Sequence, residues 1–321
     1  MSNFLDPAIL FFIFGVFAGL VKSNLEIPHP IARFLSLYLL MALGLKGGFA
    51  LHHSGFTFGI ALALGLAILL AVIIPLVGYS ILRTKLNQYD AAAIAATYGS
   101  VSAVTFITAT QILGQYAIDY GGYMAAGMAL MESPAIILAI LLANKARASE
   151  FSSHKQVPIS KILHESFTDG AQLLLLGSMC IGLISGDVGQ KIMAPFSIDL
   201  FKGMLAFFLL DMGLMAAKSF RDLKGKPFIT VCYAMGAPIC HALIALFLSK
   251  LVGLSLGDSI LLMVLAASAS YIAVPAVLRH ALPEVAPGLY MGMSLGITFP
   301  FNIILGIPLY IYIAKAVYSF N

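Results

Sequence analysis

Two short polar runs interrupt an otherwise apolar chain. One is Thr97-Tyr98-Gly99-Ser100-Val101-Ser102-Ala103-Val104-Thr105, and the other is Ala266-Ala267-Ser268-Ala269-Ser270-Tyr271, with Pro275 just beyond. Gly99 lowers the cost of breaking a helix, and Pro275 removes a backbone donor. A broken helix exposes N–H groups at the start of its second half, and these attract an anion together with the helix dipole. Freed carbonyls and the Ser and Thr oxygens suit sodium, a hard cation. One arrangement of Gly99, Ser100, Ser102, Thr105, Ser268, Ser270 and Tyr271 could thus hold an anion and a co-transported cation together. The competing reading is packing, because Ser and Thr in membrane helices often bond the preceding turn.

Glu132 lies mid-segment in Leu130-Met131-Glu132-Ser133-Pro134. An ionisable residue deep in a membrane is costly and marks a functional site by default. Its plainer role is a hydrogen-bond anchor between helices. Its counterpart in the second half falls near Thr298–Asn302, where Pro300 supplies a break and Asn302 an amide. Glu132, Ser102, Thr105, Ser270 and Asn302 are therefore the candidate cation ligands. Asp211 is also intramembrane but ranks lower, having no acidic counterpart at Ala42. His52 and His53 are adjacent and point apart on a helix, with no third ligand nearby, so no transition-metal site is expected. Cys180, Cys232 and Cys240 lie in apolar runs without C-x-x-C spacing and read as small buried hydrophobes.

The elements that must carry these residues are membrane helices. Of 321 residues, 60% are hydrophobic and 10% charged, too few polar groups to coat a soluble protein. Ten apolar segments can be drawn, near 8–21, 31–51, 56–82, 90–114, 120–144, 168–186, 198–217, 227–252, 256–280 and 287–317. The first has no basic flank and no cleavage site, so it reads as a retained helix. The most polar stretch, 145–165, is the expected linker between a first half, 1–144, and a second, 166–321. The net charge of +4 sits in loops. With the N-terminus outside, inner loops carry 13 Lys and Arg and outer positions 5, which supports N-out, C-out.

The halves resemble each other at a spacing of 167–169 residues. Gly44-Leu45 matches Gly213-Leu214, Asp90 matches Asp258, Ser100-Val101-Ser102 matches Ser268-Ala269-Ser270, and Tyr123-Met124 matches Tyr290-Met291. Five segments per half force the second copy to cross upside down. The expected fold is all-α, ten transmembrane helices in two inverted five-helix repeats, with discontinuous helices crossing at the midplane. Ser100 and Ser102 lie 10 and 12 residues beyond Asp90, roughly 15–18 Å along a helix and half of a ~30 Å hydrocarbon core.

These motifs resemble the sodium-dependent bicarbonate transporter family, known from cyanobacteria and other bacteria. The resemblance rests on residues 98–105, on Met131-Glu132-Ser133-Pro134-Ala135, and on 267–275 with Leu278-Arg279, and it covers essentially the whole chain. It implies a core moving against a gate domain, usually in a trimer, in the inner membrane. It also implies bicarbonate between the broken helices with sodium (Na+) as coupling ion close by. By position the site would include Ser102, Thr105, Ser268 and Ser270, with Glu132 standing where the family has an Asp. The cyanobacterial pattern differs in having an Asp at Tyr271, Ser and Gly at Ala273 and Val274, and a Ser at Val104. Fewer oxygens then remain for sodium, and Tyr271 adds a donor. The short 145–165 linker leaves little surface for a PII-like regulatory protein of the kind seen with some relatives.

Three classes of function follow. One is a sodium-coupled symporter of a small anion such as bicarbonate. Another is a carrier of a different anion or organic acid, or a cation/proton exchanger in which Glu132 carries the ion. The third is a membrane enzyme or a receptor. An intramembrane serine protease needs a His at the depth of its Ser, and all seven His lie in loops or near helix ends; the chain is therefore read as not an enzyme.

Overall fold

The structure, a computed structural model, describes residues 6–55, 57–149, 170–221, 223, 225 and 227–319. Every regular element among them is helical. Helix α1 is Pro7–Leu20, α2 His29–Ser54 and α3 Phe58–Leu82. Then come α4 Gln88–Gly99, α5 Ala103–Gln115 and α6 Met124–Ser149. Helix α7, Gly170–Ala194, runs through a π turn at Pro195–Asp199 into α8, Phe201–Arg221. Helices α9 Phe228–Leu251, α10 Leu256–Ala267 and α11 Ala273–Ala281 follow, and α12 spans Pro287–Ser319. The linker expected at 145–165 lies largely outside the described residues.

Start signals are local. Asp6 caps α1 by accepting from the N–H groups of Ala8 at 2.8 Å and Ile9 at 3.4 Å, with Pro7 at the first position. Asn87 caps α4 and Ser255 caps α10, each accepting from the N–H of the Asp three residues on. These two Asp residues are the repeat pair Asp90 and Asp258, so their first structural role is at helix starts. Asp258 does more, accepting from Gly121 N and Tyr123 Oη at 2.7 Å each.

Among the described residues, seven stretches are long and apolar enough to cross a membrane, against ten segments expected from sequence. The three differences have physical causes. Helix α1 has 14 residues, about 21 Å, short of a ~30 Å core. Helices α7 and α8 form one continuous apolar run of 52 residues, Gly170–Arg221. The run changes direction at Gly186, whose φ of +53° is open to glycine at little cost. The segment expected at 256–280 is broken, leaving α10 with 12 residues. Large apolar side chains stand exposed on the outer faces, among them Ile184, Ile192, Phe228, Phe247 and Leu251. This is a lipid-facing surface rather than a water-facing one.

Packing repeats between the halves. Helix α1 lies along α8, and α7 lies along α2. A side chain on Gly213 would collide with Phe12, Gly15 and Val16, and one on Gly48 with Met179, Gly182 and Leu183. The second set of neighbours follows the first by 167 residues, whereas Gly213 follows Gly48 by 165. The position equivalent to Gly213 by packing is therefore Gly48, one helical turn from the Gly44 that sequence alignment selects. This register also changes Asp211, whose equivalent becomes Lys46 and not Ala42.

Helix α12 contains two π turns, Gly292–Thr298 and Asn302–Gly306, flanking Pro300. Proline has no N–H and its ring crowds the carbonyl four residues back. Here the helix widens, where a break was expected. Pro134 sits inside a continuous α6.

Candidate functional site

Helix α4 ends because Ser100 turns extended, at φ −93° and ψ −178°. Ser102 is then the cap of α5, its Oγ accepting from Thr105 N at 3.2 Å. The second break mirrors this: α10 ends at Ala267, and Ser268 is extended, at φ −81° and ψ 167°. Ser268 Oγ donates to Leu265 O at 2.8 Å, using the hydroxyl to finish the helix. Pro275 lies in the first turn of α11, where a missing N–H costs little, so the break places the proline at a helix start. Both preceding helices are 12 residues long, about 18 Å, the depth expected from Asp90 and Asp258.

The two breaks hold each other. Ser270 N donates to Thr97 O at 2.8 Å, and Ser102 N donates to Ser268 Oγ at 2.9 Å. Backbone groups released by the breaks are thereby satisfied across the halves, as they must be away from water. The carbonyl of Ala267 accepts from Asn302 Nδ2 at 2.8 Å, while Asn302 Oδ1 accepts from Tyr310 Oη at 2.9 Å. Asn302 thus braces the second break with both ends of its amide.

Beside the crossing lies a cavity of about 120 Å³. Ser102, Ser270 and Tyr271 line it from the breaks, Glu132 from α6, Ser36 from α2 and Gln172 from α7. At roughly 30 Å³ per water it holds about four waters, well below a drug-sized pocket of about 300 Å³ or more. A small ion fits this space. The first turns of α5 and α11 open on it, through Ala103 and Ala273, so two positive helix ends converge there.

The hydrogen-bond pattern shows what the hydroxyls still have to offer. Ser102 Oγ accepts from both Thr105 N and Thr105 Oγ1, the latter at 2.9 Å. Its lone pairs are used, and its own proton is left to donate. Ser270 Oγ accepts from Val274 N at 3.2 Å, which again leaves a proton to give. The Tyr271 hydroxyl is buried, faces Ser102, and makes no hydrogen bond of ordinary geometry. Its ring packs edge-on against Phe299 at 5.2 Å, which fixes its direction. Three hydroxyls at two helix N-termini could donate to an anion. The one charged group lining the cavity is Glu132, whose Oε2 accepts from Gln172 Nε2 at 2.7 Å. That bond ties α6 to α7.

The residues expected from sequence divide accordingly. Ser102, Ser270, Tyr271 and Glu132 line the cavity. Thr105 and Ser268 stand behind it, each bonded to Ser102. Ser100 is fully buried with its hydroxyl unpartnered, outside the lining. Gly99 has helical geometry; a Cβ there would come within 2.6 Å of the Pro75 ring, so it serves close packing against α3. Asn302 is also outside the lining. Gln172 and Ser36 were not anticipated, although a Gln two residues into an apolar helix is a visible signal. Asp211 is buried, makes no hydrogen bond, and lies within electrostatic reach of Tyr271.

His241, expected near a helix end, is instead buried midway along α9, while His52 and His53 are engaged at the end of α2. His52 Nδ1 is 2.9 Å from Leu183 O, and His53 Nε2 is 3.1 Å from Asp187 Oδ1. Among the described residues no three of His, Cys, Asp and Glu could hold one metal ion. The three cysteines, read from sequence as buried, are exposed on the outer faces of their helices.

Comparison with curated proteins finds no match to this chain. Comparison with protein families matches residues 7–315 to the Na+-dependent bicarbonate transporter superfamily. That range holds both helix breaks, the cavity between them and all twelve helices but the last few residues of α12, and the chain belongs to this superfamily.

Proposed function

We propose that the protein is a secondary active transporter that carries a small anion, bicarbonate first among candidates, together with sodium. The observation that carries this reading is the set of three O–H donors, Ser102, Ser270 and Tyr271, at two converging helix N-termini in a cavity sized for one small ion. Bicarbonate offers three oxygens to accept from them. Sodium belongs beside the Glu132 carboxylate, the lining group able to balance its charge. The carbonyl ends of α4 and α10 contribute less than the sequence suggests, because Thr97 O and Ala267 O already accept from protein donors.

On this reading the ten segments are two inverted repeats and the breaks cross at the bilayer midplane. The reciprocal packing of α1 on α8 and α7 on α2 supports the repeat. Alternating access follows if α1, α2, α7 and α8 form the gate and the broken helices with α6 the moving core. The cavity lies between these groups, and the Glu132–Gln172 bond crosses from one to the other.

The direct test is thermal unfolding in detergent with bicarbonate, chloride, nitrate or acetate, each with and without sodium. A ligand of the folded state raises the melting temperature, by about 2.7 kcal/mol of stability at a hundredfold excess over Kd. The expected result is a shift with bicarbonate that needs sodium. A shift with another anion alone would replace the substrate, and none with any anion would remove the reading. Glu132→Gln keeps the bond geometry to Gln172 and removes the charge. It is expected to cut the sodium dependence of uptake at least tenfold while bicarbonate alone still protects weakly. An unchanged sodium requirement would take Glu132 out of the cation site.

A further inference from the structure

The face of α2 that gives Ser36 and Leu40 to the cavity continues into a second one. This second cavity is about 180 Å³ and is lined by Leu43, Lys46 and Ala50 of α2, Phe106 of α5 and Ala125 of α6. The same three helices border both spaces. Along α5 the lining passes from Ala103 to Phe106, and along α6 from Glu132 to Ala125. Seven residues of helix are about 10 Å, so the two spaces are stacked along one seam between α2 and the broken helix.

Lys46 is the one charged residue lining the second cavity. Its ammonium stands 4.9 Å from the centre of the Phe201 ring, and Lys202 adds to the positive field. Among the described residues no carboxylate is paired with it. A lysine near a helix end normally snorkels its charge into the headgroups, but this one is half-buried and turned into the seam. Packing does not require a positive charge at this position, since its equivalent in α8 is Asp211. An unpaired ammonium in a membrane interior is costly unless it serves a function.

We propose that the second cavity is a separate binding site for the same small monovalent anion, a vestibule in which Lys46 supplies the counter-charge before the anion reaches the three hydroxyls. Leu40 and Met128 line the inner space and Leu43 and Phe106 the outer one, and all four belong to one buried apolar cluster. The positive field also disfavours sodium on this path, so the anion and the cation reach the inner site by different routes. The identity of the anion rests on the function proposed above; the vestibule itself does not.

The experiment separates the two. In protein whose Cys180, Cys232 and Cys240 are replaced by Ser, a single cysteine is introduced as Ala50→Cys, or as Ala125→Cys if the first does not fold. Its labelling rates by an anionic and a cationic methanethiosulfonate of equal size are compared. The anionic-to-cationic ratio is expected to fall about tenfold with Lys46→Gln and to be kept with Lys46→Arg, as removal of one nearby charge predicts in a mostly aqueous path. The loss should shrink as ionic strength rises. A ratio unmoved by Lys46→Gln overturns the vestibule, whatever is transported. In uptake assays Lys46→Gln is expected to raise the KM for the anion about fivefold with the maximal rate within twofold. If the parent protein moves no bicarbonate, the functional reading fails while the labelling ratio still decides on the vestibule.

Discussion

Ser102→Ala is expected to lower the efficiency of bicarbonate uptake by about 10- to 100-fold, the loss of one hydrogen bond to a charged ligand. Three interactions meet at this residue. Its hydroxyl caps α5, accepts from the Thr105 hydroxyl and lines the cavity, while its N–H is held by Ser268. Removing the cap costs about 1 kcal/mol, a fall of a few degrees in melting temperature for a chain of this length. The transport loss should exceed what that fall explains, because the Ala variant also forfeits the one donor that Thr105 orients by filling its lone pairs. Thr105→Val separates the effects. It leaves the Ser102 hydroxyl in place but frees a lone pair, so the proton can turn away from the cavity; a smaller loss, about fivefold, is expected. Uptake kinetics and thermal unfolding on the same preparations check both. Ser102→Ala protein that melts lower but transports normally would remove Ser102 from the binding site.

Much of this site can be read from the chain because it depends on short-range chemistry. An Asp at a helix start and a Ser-x-Ser ten residues later set a helix length without reference to any neighbour, and both helices end at that count. Proline at 275 similarly dictates where a helix must begin. What escapes the sequence depends on partners far along the chain. Gly99 reads as a helix breaker, yet it has ordinary helical geometry and its lack of a side chain admits Pro75. Asn302 reads as a cation ligand, and in the structure its amide bonds Ala267 and Tyr310 outside the cavity lining. The difference is whether a polar group already has a partner, and only the tertiary structure states that. The same holds for Ser102 and Ser270. Their oxygens look equally suited to sodium and to an anion until the donors from Thr105 and Val274 are counted, after which protons are what remain to offer.

The repeat itself shows a subtler limit. Apolar helices contain glycine every turn or so, and sequence alignment cannot tell Gly44 from Gly48. Packing can, and it makes a strong prediction. Gly48 and Gly213 approach the carbonyls of Met179 and Phe12 so closely that an added Cβ would overlap them. Close backbone approach at small residues is the main source of helix association in lipid, where the hydrophobic effect is absent. A methyl group at either position forces two helices apart over their whole contact, and overpacking of this kind costs about 1–3 kcal/mol. Valine at either site adds two more carbons against a backbone that cannot rotate away. Gly48→Ala and Gly213→Ala are therefore expected to lower the melting temperature by similar amounts, and Gly48→Val and Gly213→Val to abolish recovery of monodisperse protein. Gly65→Ala and Gly177→Ala, where a Cβ meets nothing within 4 Å, should change stability by no more than about 0.5 kcal/mol. Size-exclusion profiles and thermal unfolding read all six. Equal damage at 48 and 213 is the signature of one helix pair used twice; a folded Gly48→Val protein, or damage at only one of the two positions, would mean that the register pairing Lys46 with Asp211 is wrong.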